Sequence, residues 1–307
     1  MSNYVKYLEE DDDTAPSFQR TKSRRPKRDR AAVIATLVEQ SEDGSEDFHP
    51  SFSASKHERA WILTYLGGFY EDQLIADVLH QVKGGKEATV YCCAPGPAAG
   101  AGLIAAKVYR PRIFRNLRND SLYRMGRNAL DDQGKATRAR RELLAMRKRT
   151  DFGQELLHGA WLANEFRTMQ RLYEAGAAVP RPIGHSDNAI LMEYLGEAGR
   201  PAQALHHVAL DAGEARPLFD ELIHNIDLML AADCVHADLS AHNILYWEGG
   251  VKIIDFPQAV DPYGNPEAYT LFARDVLRVC QYFAHYGITT DPARLARDLW
   301  ARYIPTT

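Results

Sequence analysis

Thiols are scarce in this 307-residue chain: Cys92, Cys93, Cys234 and Cys280 are the full set, and no two have C-x-x-C spacing. Cys92 and Cys93 are adjacent, so a strand would turn them to opposite faces. A disulfide framework or a cysteine-based zinc site is therefore excluded as the organising principle, and a reducing compartment fits. Long apolar runs are also missing; none approaches the roughly 20 residues that span a bilayer. The N-terminus is acidic, unlike a secretory signal. These absences lead us to expect a cytoplasmic protein with no membrane association. The apolar fraction of 45% and charged fraction of 25% are ordinary for a globular chain of one large or two small domains. Oligomeric state leaves no trace in the sequence.

The small net charge of −4 conceals a strong asymmetry. Residues 20–30, RTKSRRPKRDR, carry +6, and residues 110–149 carry +9, which leaves −19 on the rest. Two basic segments on an acidic body fit a polyanionic partner, RNA first among candidates. Solvated charge on flexible segments accounts for them equally well.

Residues 1–55 read as a disordered arm, with an acidic cluster at 9–13, the basic run, and a Ser/Glu/Asp-rich stretch over 39–55. AAVIATLV (31–38) could form a short helix, and order is expected from about residue 57. ERAWILTYLGGFYEDQLIADVLHQV then reads as two short helical stretches, separated by Gly67-Gly68 and leading to a strand. Two β-type runs, VKGGKEATVYCCA and LIAAKVYR, follow around the loop PGPAAGAG. A helix is expected over 161–176, a buried strand over 189–196, and a helix over 216–232 with Leu218, Leu222, Ile226 and Met229 on one face. A strand pair around Gly249-Gly250 and helices near 269–286 and 291–303 complete the series. The fold class expected is α+β and bilobal. An N-lobe over 56–192 carries a mobile basic insertion at 110–158, and a mostly helical C-lobe spans 193–307.

The chemistry concentrates in HADLSAHNILYWEGGVKIID, 236–255. Asp238 is followed five residues later by Asn243 and, across a hairpin, by Asp255. This resembles the catalytic loop and metal-binding strand of protein-kinase-like phosphotransferases. Mg²⁺ on ATP takes oxygen ligands from one or two side chains plus the phosphates, and Asn243 and Asp255 offer them. Asp238 can orient an attacking hydroxyl or water and accept its proton. Upstream, KGGKEA (83–88) places Gly84, Gly85 and Lys86 between strands, where backbone N–H groups and a cation can meet phosphates. Lys107, a lone cation in the apolar run IAAKVY, needs a partner, and Glu165 on the helix WLANEFRTM is the natural carboxylate. The resemblance further implies adenine contacts from the backbone around Glu193 and Leu195, with Met192 at the back wall.

Taken together, GKEATVY (85–91), AAKVYR (105–110), WLANEFRTMQRL (161–172), VPRPIG (179–184), LMEYLG (191–196), HADLSAHNILY (236–246), IIDFPQAV (253–260) and FARDV (272–276) resemble the RIO kinases, atypical protein-kinase-like enzymes. The resemblance covers about residues 57–290. It implies Asp238 as catalytic aspartate, Asn243 and Asp255 as metal ligands, and Lys107 with Glu165 as the phosphate-binding pair. ATP and Mg²⁺ are the implied cofactors. Phosphoryl transfer would go to a Ser/Thr hydroxyl, to the protein itself or to water, as a switch on ribosomal precursor particles. Asp255 is an implied aspartyl-phosphate site.

The chain departs from that family in two places. KGGKEA lacks the hydroxyl residues of the family's usual loop, and the basic insertion is longer. Pro257 stands where ordinary kinases have Gly after Asp-Phe, no Ala-Pro-Glu follows, and 52 residues remain. The C-lobe is therefore expected to lack an activation segment and a peptide-docking platform. Two other readings stay in view: a small-molecule phosphotransferase of the aminoglycoside or choline kinase type, and a pseudokinase scaffold.

Overall fold

The computed structural model of the chain describes residues 47–85, 87–110 and 150–304. The basic run at 20–30, the short helix expected at 31–38, Lys86 and the basic segment 111–149 lie outside the described residues.

Helix α1 (Lys56–Glu71) opens at Ser55, whose hydroxyl accepts the Glu58 N–H at 3.4 Å, the usual service of an N-cap. Its buried face, Ala60, Ile62, Leu66 and Phe69, packs on strands β1 (Ile75–Gly84), β2 (Ala88–Pro95) and β3 (Ile104–Tyr109). Helix α2 (Asp151–Glu174) starts at the Thr150 cap and leads into β4 (Pro182–His185) and β5 (Ala189–Glu193). The five strands form one antiparallel sheet in the order β1-β2-β3-β5-β4. β3 sits in the middle and is buried on both faces except at Lys107, whose ammonium meets Glu165 and Asp255.

Short strands β6 (Gly196–Glu197), β7 (Arg200–Pro201) and β8 (Gln203–Ala204) connect to helix α3 (Ala212–Ala231). A reciprocal capping box fastens its start: Asp211 accepts the Glu214 N–H, and Glu214 accepts the Asp211 N–H. Leu218, Leu222, Ile226 and Met229 are all buried, as their spacing predicts. Strands β9 (Ile244–Trp247) and β10 (Gly250–Ile253) then form a hairpin. Its turn residues are Glu248 and Gly249, both with positive φ, the geometry that suits a two-residue loop. Helices α4 (Ala268–Ala284) and α5 (Pro292–Trp300) finish the described chain. The larger core joins α2 through α5 with β9 and β10, and a smaller one lies between α1 and the sheet.

Four expectations need correction. Gly67-Gly68 does not break the first helix, which runs on to Glu71; burial of Leu66 and Phe69 outweighs the roughly 1 kcal/mol that each helical glycine costs. The second helical stretch is instead strand β1. Ile75, Val78, Leu79 and Val82 fall at helical spacing, but β-bulges between 75 and 77, 78 and 80, and 81 and 83 reset the strand's alternation. Residues 47–55, assigned to a disordered arm, pack on the small core. Phe48 is 2% exposed and stacks on Tyr70 with ring centroids 4.7 Å apart. The Phe52 N–H also bonds the Val78 carbonyl at 3.0 Å. In addition α2 begins ten residues before the helix expected at 161, so the insertion gives way to helix after Thr150.

Candidate active site

β3 and α2 face each other across a buried ion pair. Lys107 Nζ lies 2.7 Å from Glu165 Oε1 and 2.6 Å from Asp255 Oδ1. Burial alone would lower the Lys107 ammonium's pKa, but Asp255 and Glu165 outweigh it and hold it well above the ordinary value. Burial likewise acts to raise Asp255, and Lys107 more than reverses this, leaving its carboxyl below the usual range. Tyr109, two residues along the same strand face, donates its hydroxyl to Glu165 Oε2. The Tyr109 ring stands edge-on to Trp161 at 5.0 Å. Glu165 thus has both oxygens engaged and is 4% exposed.

The catalytic-loop candidate is held from two sides. His236 is fully buried; its Nε2 lies 3.1 Å from the Ile254 carbonyl, and its Nδ1 accepts the Asp238 N–H at 3.3 Å. A carbonyl on one nitrogen and an amide on the other require the neutral Nε2–H tautomer. Burial, which lowers the His236 pKa, favours the same form. From the other side, Asp275 on α4 accepts the Ala237 N–H at 2.7 Å and the Leu239 N–H at 3.0 Å, while Arg274 donates to the Ala237 carbonyl. These contacts maintain Ala237 at φ 65°, a left-handed conformation rarely adopted by alanine. Asp255 is also left-handed, at φ 74°. Such strain persists only where surroundings over-determine it, and it concentrates at functional sites.

Asp238 presents a carboxylate that is 49% exposed, with Oδ1 2.9 Å from Arg278 Nη1. The Asn243 amide donates to the Asp238 carbonyl at 2.9 Å, a bond that uses its Nδ2 and not its Oδ1. The Ile254 N–H bonds the Asn243 carbonyl at 3.0 Å, so loop and strand are stitched together beside Asp255. Asn243 and Asp255 therefore each keep an oxygen for a hard cation, a donor set that fits Mg²⁺ with phosphate as co-ligand. Among the described residues no cluster of three or more His, Cys, Asp or Glu is placed to hold a metal.

The β1–β2 hairpin approaches the same place, since Lys83 lies near enough to help depress Asp255. Gly84 ends β1, and the Gly85 N–H bonds the Ala88 carbonyl at 2.9 Å. A Cβ on Gly85 would fall 2.8 Å from that same oxygen, so the turn requires glycine there. Lys86 lies outside the described residues. In the connecting segment, the Glu193 N–H bonds the Arg181 carbonyl and the Leu195 carbonyl accepts from Ala202. Met192 pairs with Ala105 in the sheet. The sequence reading missed Tyr109, Asp275 and Arg278; FARDV contained one of them, and the shared strand face of Lys107 and Tyr109 signalled another.

A family model for the RIO domain matches residues 121–295, more than half of the chain. The chain belongs to the RIO family. Its fold is accordingly kinase-like as well as α+β. It is 36% identical over 135 residues to the RIO-type serine/threonine-protein kinase Rio1 of Thermoplasma acidophilum, covering 44% of this chain and 69% of that protein. Against the serine/threonine-protein kinase RIO1 of Chaetomium thermophilum the identity is 30% over 245 residues, 76% of this chain and 44% of the relative. The human serine/threonine-protein kinase RIO1 is 33% identical over 135 residues, 44% of this chain and 24% of its own length. The match thus spans less than half of each of the two eukaryotic relatives. Among the described residues no helix is long and apolar enough to cross a membrane.

Proposed function

We propose that this RIO-family chain is an ATP- and Mg²⁺-dependent atypical serine/threonine kinase or ATPase. The observation that carries the reading is the Lys107 ammonium held between Glu165 and Asp255, beside a loop that presents Asp238 and Asn243. In these roles Lys107 binds the α- and β-phosphates, Glu165 positions it, and the hairpin with Gly84, Gly85 and Lys86 covers the phosphates. Asn243 and Asp255 hold the magnesium, which when bound neutralises charge building up on the phosphates. Asp238 orients the acceptor hydroxyl or water and takes its proton. The Leu195 N–H and the Glu193 carbonyl serve the adenine, with Met192 behind.

The finer assignments belong to the same proposal. Twelve residues separate Asp255 from α4, and Val260 pairs back onto Val235 within them. That supports a C-lobe without an activation segment, and hence a switch-like enzyme acting on itself or on water. Asp255 is a candidate phosphoacceptor. The basic segments 20–30 and 110–149 are candidate contacts to RNA or a ribosomal particle, in the cytoplasm.

The test is incubation with γ-labelled ATP and Mg²⁺, scoring free phosphate and labelled protein separately. Asp238→Ala is expected to lose turnover by about 10²-fold or more while still binding nucleotide, and Asp255→Ala to lose the Mg²⁺-dependent part of binding. Unlabelled protein with no phosphate release in the wild type would overturn the reading. Lability of any label to hydroxylamine separates phospho-Asp255 from phosphoserine.

A further inference from the structure

Helix α4 does more than support the loop backbone. Arg274 meets the Ala237 carbonyl, Asp275 the N–H groups of Ala237 and Leu239, and Arg278 reaches the Asp238 carboxylate itself. Arg278 Nη1 lies 2.9 Å from Asp238 Oδ1, with the two side chains 38% and 49% exposed. Residues 237–243, ADLSAHN, contain no lysine or arginine. The charge beside the candidate base therefore comes from a helix some forty residues further along the chain.

We propose that Arg278 is the positioning residue for Asp238, an inference that rests on Asp238 being the base. A carboxylate has two oxygens and rotates about its last torsion. Fixing Oδ1 on a planar guanidinium leaves Oδ2 as the one that meets the acceptor hydroxyl. Because the pair faces water, its worth to stability is small, and its use is orientation. Misplacing a reacting group by an ångström costs up to about 10²-fold in rate.

Steady-state ATP turnover and nucleotide affinity of Arg278→Ala, Arg278→Lys, Asp238→Asn and the Arg278→Ala/Asp238→Asn double variant form the test. Arg278→Ala is expected to lower kcat by roughly one to two orders of magnitude, with ATP Kd within about twofold and thermal midpoint little changed. Arg278→Lys, which keeps the charge but not the fork, should restore part of kcat. In the Asp238→Asn background the arginine should no longer matter. An unchanged kcat in Arg278→Ala, or an equal loss in both backgrounds, overturns the assignment. Loss carried by Kd instead of kcat also overturns it, because that would make Arg278 a nucleotide-binding group. A wild type that turns over no ATP refutes the underlying reading instead, so the two failures are distinguishable.

Discussion

At the scale of single residues, the polar heart of the site is a chain of donors and acceptors with little slack. Tyr109 donates to Glu165, Glu165 accepts Lys107, and Lys107 reaches Asp255. Removing the Tyr109 hydroxyl leaves a buried carboxylate oxygen without its donor, a loss of about 1.5–3 kcal/mol for a hydrogen bond to a charged group. Tyr109→Phe is accordingly expected to lower the urea midpoint and to weaken nucleotide binding through a loosened Glu165. Urea titration and calorimetry with ATP check this; an unchanged midpoint would mean that the hydroxyl is satisfied elsewhere. Lys107 was readable in the sequence because a cation in an apolar strand demands an explanation. Tyr109 was not, because an aromatic residue in the same strand is ordinary core material until its neighbour's partner is known.

The element that organises the catalytic-loop candidate is α4. Asp275 is 3% exposed and its pKa is raised to about 7, with burial the dominant cause and the Ala237 and Leu239 N–H groups opposing it. The folded state thus holds this proton more tightly than an unfolded chain, whose aspartate titrates near 3.9. Its contribution to stability is complete below about pH 3.9 and is lost as the pH rises through about 7. Wild-type protein should therefore lose stability between pH 5 and 7.5, by at most about 1.4 kcal/mol per unit from this one group. Asp275→Asn should flatten that slope while loosening the loop, since an amide offers one acceptor where two are needed. Denaturant midpoints measured across that range decide it, and parallel slopes in both proteins would rule it out. From sequence α4 itself was plain, its apolar spacing being strong, whereas the target of Asp275 lies thirty-six or more residues away and has no local signature. β1 shows the opposite difficulty: its bulges imitate helical spacing, so the local pattern was clear and misleading.

Taken as a whole molecule, the order of motifs along the chain carried most of the architecture, because each motif is tied to a strand, a helix or a turn and short connections leave few ways to arrange them. What it could not carry was the reach of the polypeptide before α1. Residues 47–55 are polar enough to read as tail, yet two phenylalanines within them fasten to the small core: Phe48 on Tyr70, and Phe52 near Tyr91 at 6.0 Å between rings. Ser51 adds a bond from its N–H to Asp77 at 2.7 Å. This strap fastens to α1 and to β1, the latter being one arm of the hairpin at Gly84 and Gly85. Phe48→Ala should cost about 3 kcal/mol by leaving a cavity in the small core, while the ion pair at Lys107, built from β3, α2 and the strand end at Asp255, stays intact. The expected result is a clear fall in denaturant midpoint and faster proteolysis within 47–55, with ATP affinity of the folded fraction nearly unchanged. A midpoint equal to wild type would show that the strap does not contribute to the stability of the fold. A matching loss of affinity would instead make it part of the nucleotide site, acting through β1.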